Sequence, residues 1–166
     1  GGQFVQRYAA GGSAQDDLDD DVDVQYIVSN PSSYMYFSSE RAYDTTECPD
    51  YNQYKNGLES MNRYMRSVGE SQLKENFQAR DTVLYLGTAD TSREQPFDDS
   101  CKADLQGMNR FERGIIFYRH VNNVLDGEIN VFIAPGVAHD AQGMFQHPCG
   151  LQLLFDYEAE DCFDFD

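Results

Sequence analysis

Asn130-Val-Phe-Ile-Ala-Pro-Gly-Val-Ala-His-Asp-Ala-Gln-Gly-Met144 is the stretch whose reading decides the fold. Val131, Phe132 and Ile133 are β-branched or aromatic and predict a buried strand, which Pro135-Gly136 stops. His139 follows on the loop. A lone histidine there is an ordinary surface residue, but a second stretch repeats the design: Thr82-Val-Leu-Tyr-Leu86, then Gly87, then Asp90. Two strands each end by presenting an ionisable group, a carboxylate from one and an imidazole from the other.

Working outward, Val24 to Val28 reads as a third strand, ending at Ser29-Asn30-Pro31 where the pre-proline restriction interrupts regular structure. Phe4 with Tyr8 and Val5 with Ala9 form i,i+4 pairs, which predicts a helix over 3–10 stopped by Gly11-Gly12. Leu105, Met108, Phe111, Ile115 and Tyr118 recur every three or four residues and predict a helix over 105–121. Asp126-Gly127 marks a turn, and a last helix runs from Pro148, a good first-turn residue, to Phe155. Strands alternating with helices predict an α/β fold of parallel strands with helical crossovers. The chain reads as one partial domain over 1–166. Residues 32–80 form a tyrosine-rich excursion, either a cap over a pocket with a partly wet aromatic wall or a long connection, with weak helical patterning over 51–66 and 70–79. An acidic tail over 157–166 is expected to fray.

The 166 residues are 40% hydrophobic and 13% aromatic, enough for a core. A net charge of −17 argues against nucleic acid, whose binding needs clustered cations to release counterions. No apolar run reaches the roughly 20 residues of a bilayer span. The aspartates between Asp16 and Asp23 repel one another and predict a solvated loop; the run lacks the glycine and the closing glutamate of a calcium loop.

In parallel sheets, ligands bind beyond the carboxyl ends of the strands, where Asp90 and His139 are expected. A carboxylate bonded to one imidazole nitrogen fixes the tautomer, so the other nitrogen can take a proton from a nucleophile and return it to a leaving group. Ser92 and Ser100 lie near Asp90 in sequence but on no strand-to-helix elbow. His120 reads as a helix-end or surface residue, and His147 has no carboxylate spacing that suits zinc. Cys48, Cys101, Cys149 and Cys162 form no Cys-x-x-Cys pair, which argues against metal, and no cofactor is expected. They allow three full pairings, of which Cys48 with Cys101 is the first to test; buried thiols are the alternative.

The opening Gly1-Gly2-Gln3-Phe4-Val5-Gln6-Arg7-Tyr8-Ala9 resembles the helix that follows the nucleophile elbow in the α/β-hydrolase fold family. Val28 to Tyr34, Cys48 to Leu58 and Gly136 to Phe145 resemble the same group in the same order. The resemblance implies that Gly1 and Gly2 close the elbow, that Asp90 is the acid and His139 the base of a triad, and that the nucleophile lies two positions before Gly1. The chain would then be the C-terminal part of a serine hydrolase, inactive alone, whose partners are the missing N-terminal half of the domain and a small ester- or amide-like substrate. A noncatalytic binding protein on the same fold is the alternative. The compartment stays open, with secretion implied only if the cysteines pair.

Overall fold

The computed structural model describes residues 1–19, 21–125, 129–159 and 162. The turn expected at Asp126-Gly127 and most of the acidic tail lie outside the described residues. Three parallel strands, β1 (Gln25–Ser29), β2 (Asp81–Gly87) and β3 (Asn130–Ala134), form a sheet in the order β1-β2-β3. The architecture is α/β, with helices covering both faces.

Alternation along the strands assigns the faces, because successive side chains of a strand point to opposite sides. Tyr26 and Val28 of β1, Leu84 and Leu86 of β2, and Val131 and Ile133 of β3 enter the larger core. There they meet α1 (Gly2–Gly11), α3 (Glu70–Ala79) and α5 (Arg110–Val124) through Ala9, Ala10, Leu73, Phe77, Phe117 and Val121. Ile27, Tyr85, Phe132 and Ala134 point the other way, to Met144 of α6 (Ala141–Gln146) and Cys149 of α7 (Pro148–Phe155). The central strand is buried from Thr82 onward, which explains its unbroken apolar run.

The helix expected over 105–121 begins only at Arg110, as α5, and 105–109 are turn. A short α4 (Cys101–Asp104) ends before Gly107, whose φ of +142° no helix continues through, and Met108 is half exposed. The start of α5 is held by a variant of the capping box: the Asn109 side chain accepts from the Glu112 amide at 2.9 Å, and Glu112 accepts from the amide of Met108, the residue before the cap, at 2.7 Å. The expected 70–79 helix is α3, but of the 51–66 patterning only the end is helical, in α2 (Arg63–Val68), and 51–62 are turns and irregular chain. A polar network overrides the weak periodicity here. Arg41 donates to Asn52 Oδ1 and to the Asn56 carbonyl at 3.0 and 3.1 Å, and a Cβ at Gly57 would collide with Asn52.

The start of the excursion is core and not a wet wall. Tyr34, Met35, Tyr36 and Phe37 are buried, and no partner reaches the Tyr34 or Tyr36 hydroxyl among the described residues. His120, expected at a helix end or on the surface, lies near the end of α5 but is buried. Its Nε2 accepts from the Phe37 amide at 3.2 Å, and its ring packs against Tyr36. Disulfides join Cys48 to Cys101 and Cys149 to Cys162. The second ties part of the acidic tail to α7.

Candidate active site

The loops that follow β2 and β3 are fastened to each other, and this brings Asp90 to His139. The Thr88 amide donates to Ala134 at 3.2 Å, the Ala89 amide to Val137 at 3.0 Å, and the Gly136 amide to Thr88 Oγ1 at 2.8 Å. Gly87 permits the approach, since a Cβ there would run into the Val137 carbonyl. Asp140 then caps α6, accepting from the Gln142 and Gly143 amides at 3.2 and 2.9 Å, which fixes the residue after His139.

Asp90 is buried, and its Oδ2 lies 2.8 Å from His139 Nδ1. A carboxylate only accepts, so Nδ1 carries the hydrogen, and in the neutral imidazole Nε2 keeps its lone pair. The other oxygen, Oδ1, lies 3.5 Å from Arg110 Nη1. Arg110 was not singled out from sequence. It is itself buried, and its Nε donates to Ser32 Oγ at 3.1 Å and its Nη2 to the Pro96 carbonyl. Its neighbour Arg113 donates to the Gly107, Ser32 and Asp98 carbonyls and pairs with Asp104 at 2.8 Å. Burial pushes the Arg113 pKa down, against the pull of Asp104 and Asp98.

His139 is about half exposed and lines a cavity of about 320 Å³ together with Gly1, Gly2, Ser29, Asn30 and Ser32. The two glycines differ. A Cβ on Gly2 would strike the Ser29 carbonyl at the end of β1, whereas Gly1 has nothing near it. Close packing therefore requires glycine only at position 2. Asn30, with a left-handed φ of 41°, accepts from the Gly87 amide at 3.0 Å and locks β1 to β2 at the cavity floor.

The other sequence candidates lie elsewhere. Ser92 accepts from the Glu94 amide in a local turn, and Ser100 caps α4; neither lines the His139 cavity. Ser29 and Ser32 do line it, without a hydrogen bond to His139. His147 caps α7, its Nδ1 accepting from the Cys149 amide at 3.2 Å. Among the described residues no group of three or more histidine, cysteine or acidic side chains is placed to hold a metal. Among the described residues no helix is long and apolar enough to cross a membrane.

The structure is similar to that of poly(aspartic acid) hydrolase-1 from Sphingomonas sp. KT-1, with a TM-score of 0.63 and 25% identity over 88% of this chain and 49% of that one. It is also similar to LpqC, the poly(3-hydroxybutyrate) depolymerase of Bordetella parapertussis, with a TM-score of 0.68 and 21% identity over 97% of this chain and 48% of the other. The fold is a hydrolase-like α/β fold. The chain spans about half the length of these two proteins. No family model matches the sequence, and no curated protein does.

Proposed function

We propose that this chain supplies the acid and the base of a serine hydrolase acting on an ester, thioester or amide. The observation that carries the reading is the 2.8 Å bond between buried Asp90 and His139 Nδ1, which leaves Nε2 as a base beside an open cavity. In the complete protein a serine two positions before Gly1 gives its proton to His139 Nε2 and attacks the acyl carbon. His139⁺ then protonates the leaving group, and Asp90 stabilises the imidazolium meanwhile. The tight fit of Gly2 against β1 suits an elbow that brings the preceding residues to the same cavity. The two similar structures, named for hydrolysis of poly(aspartic acid) and depolymerisation of poly(3-hydroxybutyrate), agree with acyl cleavage. With all four cysteines paired, an oxidising compartment suits the molecule.

Labelling the full-length protein with a fluorophosphonate tests the mechanism. The wild type is expected to label and to turn over a 4-nitrophenyl ester. His139→Ala should fold normally and lose turnover by about 10³-fold or more. A folded wild type that neither labels nor turns over ester would favour a noncatalytic binding protein.

A further inference from the structure

Next to the His139 cavity lies a more open one of about 510 Å³, and the two share Gln3 and Ser32. The chain has three lysines, and two of them, Lys55 and Lys102, line this second cavity. Lys74 is paired with Glu70 at 2.7 Å, but among the described residues neither Lys55 nor Lys102 forms an ion pair. In a chain with 12 basic and 29 acidic residues, two unpaired lysines on one cavity make a local departure from the surface average.

The single acid among the described lining residues is Asp98, which feels the charge of Lys55 but has its hydrogen-bonding capacity engaged by its own loop and Ser33. Its oxygens accept from Ser100 Oγ at 2.7 Å, from the Ser100 amide at 3.2 Å and from Ser33 Oγ at 3.2 Å. Behind Tyr54, which also lines the cavity, stands Arg7, one turn along α1 from Gln3. The Arg7 Nε and Nη2 are buried with no acceptor among the described residues. Burial pushes the Arg7 pKa down while Tyr54 and Asp98 pull it up, so its charge is felt at this wall. Two lysines thus face one engaged carboxylate, with the Arg7 guanidinium buried behind the wall. Asp99 and Glu94 adjoin lining residues and lie within a Debye length of about 10 Å at 0.1 M salt, so the two lysines act against these as well as Asp98, while the acidic surface farther off is largely screened.

We propose that this second cavity is an anion subsite that holds a carboxylate carried by the substrate, beside the acyl bond placed at His139. The ligand class is a carboxylate-bearing ester or amide, and Lys55 and Lys102 are its specificity-determining residues. The inference rests on the hydrolase reading for its substrate, though not for its anion.

The test compares matched esters on the full-length protein. One pair, 4-nitrophenyl butyrate and mono-4-nitrophenyl glutarate, carries the carboxylate on the acyl half; the other, phenyl acetate and 4-acetoxybenzoate, carries it on the leaving half. In at least one pair the anionic ester is expected to have a kcat/KM about tenfold higher, a preference that falls as salt rises. Lys55→Gln/Lys102→Gln should abolish that preference and leave the neutral ester within about twofold. Parity in the wild type, a preference that survives in the double variant, or an equal loss on both esters would overturn the subsite. Calorimetric titration with glutarate, which does not react, separates the two proposals. Glutarate binding that the double variant loses, with no ester turned over, sinks the hydrolase reading and keeps the anion site. Turnover with neither preference nor glutarate binding does the reverse.

Discussion

Asp90 can be buried because it has two partners. An unpaired carboxylate in such a place costs several kcal/mol, and Arg110 on one oxygen with His139 on the other divides its hydrogen-bonding capacity. Arg110→Gln in the full-length protein should lower stability by roughly 3–5 kcal/mol, since removing one partner strands the other charge. It should also reduce kcat by about 10–100-fold with a smaller change in KM, because Asp90 is then less firmly aimed at the imidazole. Denaturant titration and steady-state kinetics read the two effects; a variant with unchanged kcat would show that Asp90 holds its orientation without the guanidinium. The carboxylate and the imidazole were legible in the sequence because each follows an apolar run and a glycine. Arg110 was not, because a 3.6-residue periodicity drawn straight through Gly107 hid the start of α5. The usable signal was local, the Asn109-x-x-Glu112 capping box, which makes Arg110 the first residue of a helix.

Among the elements, α5 does two jobs: its first residue meets Asp90, and its last turns hold the 34–37 segment in the core through His120. Burial first, with Arg41 and Lys74 adding to it, pushes the His120 pKa from 6.5 to about 4. The native state therefore favours the neutral imidazole, which accepts from the Phe37 amide. The unfolded chain takes up a proton as pH falls below 6.5 while the native chain does not, so stability is complete above pH 6.5 and is lost down to about pH 4. The loss should be on the order of 2–3 kcal/mol. His120→Gln keeps an acceptor without the titration and should flatten the curve of denaturation midpoint against pH over that window; an unchanged slope would assign the acid sensitivity to other groups. The three strands and the first and last helices were readable, since their apolar patterns match their packing. Residues 51–62 were not, because Arg41, Asn52 and Gly57 set their path through contacts distant in sequence.

At the scale of the whole molecule, a net charge of −17 works against compaction, and the two disulfides oppose it from different places. Cys48–Cys101 closes a separation of 53 residues and ties the excursion to α4; Cys149–Cys162 closes 13 and ties down part of the tail. If loop-closure entropy in the unfolded chain dominates, the longer loop contributes about 4 kcal/mol and the shorter about 3 kcal/mol. The positional difference is larger than the entropic one. Cys101 directly precedes Lys102 and follows Ser100, the hydroxyl that engages Asp98, whereas Cys149 lies on the opposite face of the sheet. Cys48→Ser/Cys101→Ser in the full-length protein should therefore lower the unfolding midpoint and also weaken the preference for carboxylate-bearing esters. Cys149→Ser/Cys162→Ser should lower the midpoint alone. Thermal denaturation and the matched ester pairs, measured on both double variants, read this difference. If both variants lost stability to the same degree and kept the same selectivity, the longer bridge would be a staple of the unfolded chain with no part in shaping the lysine-lined cavity.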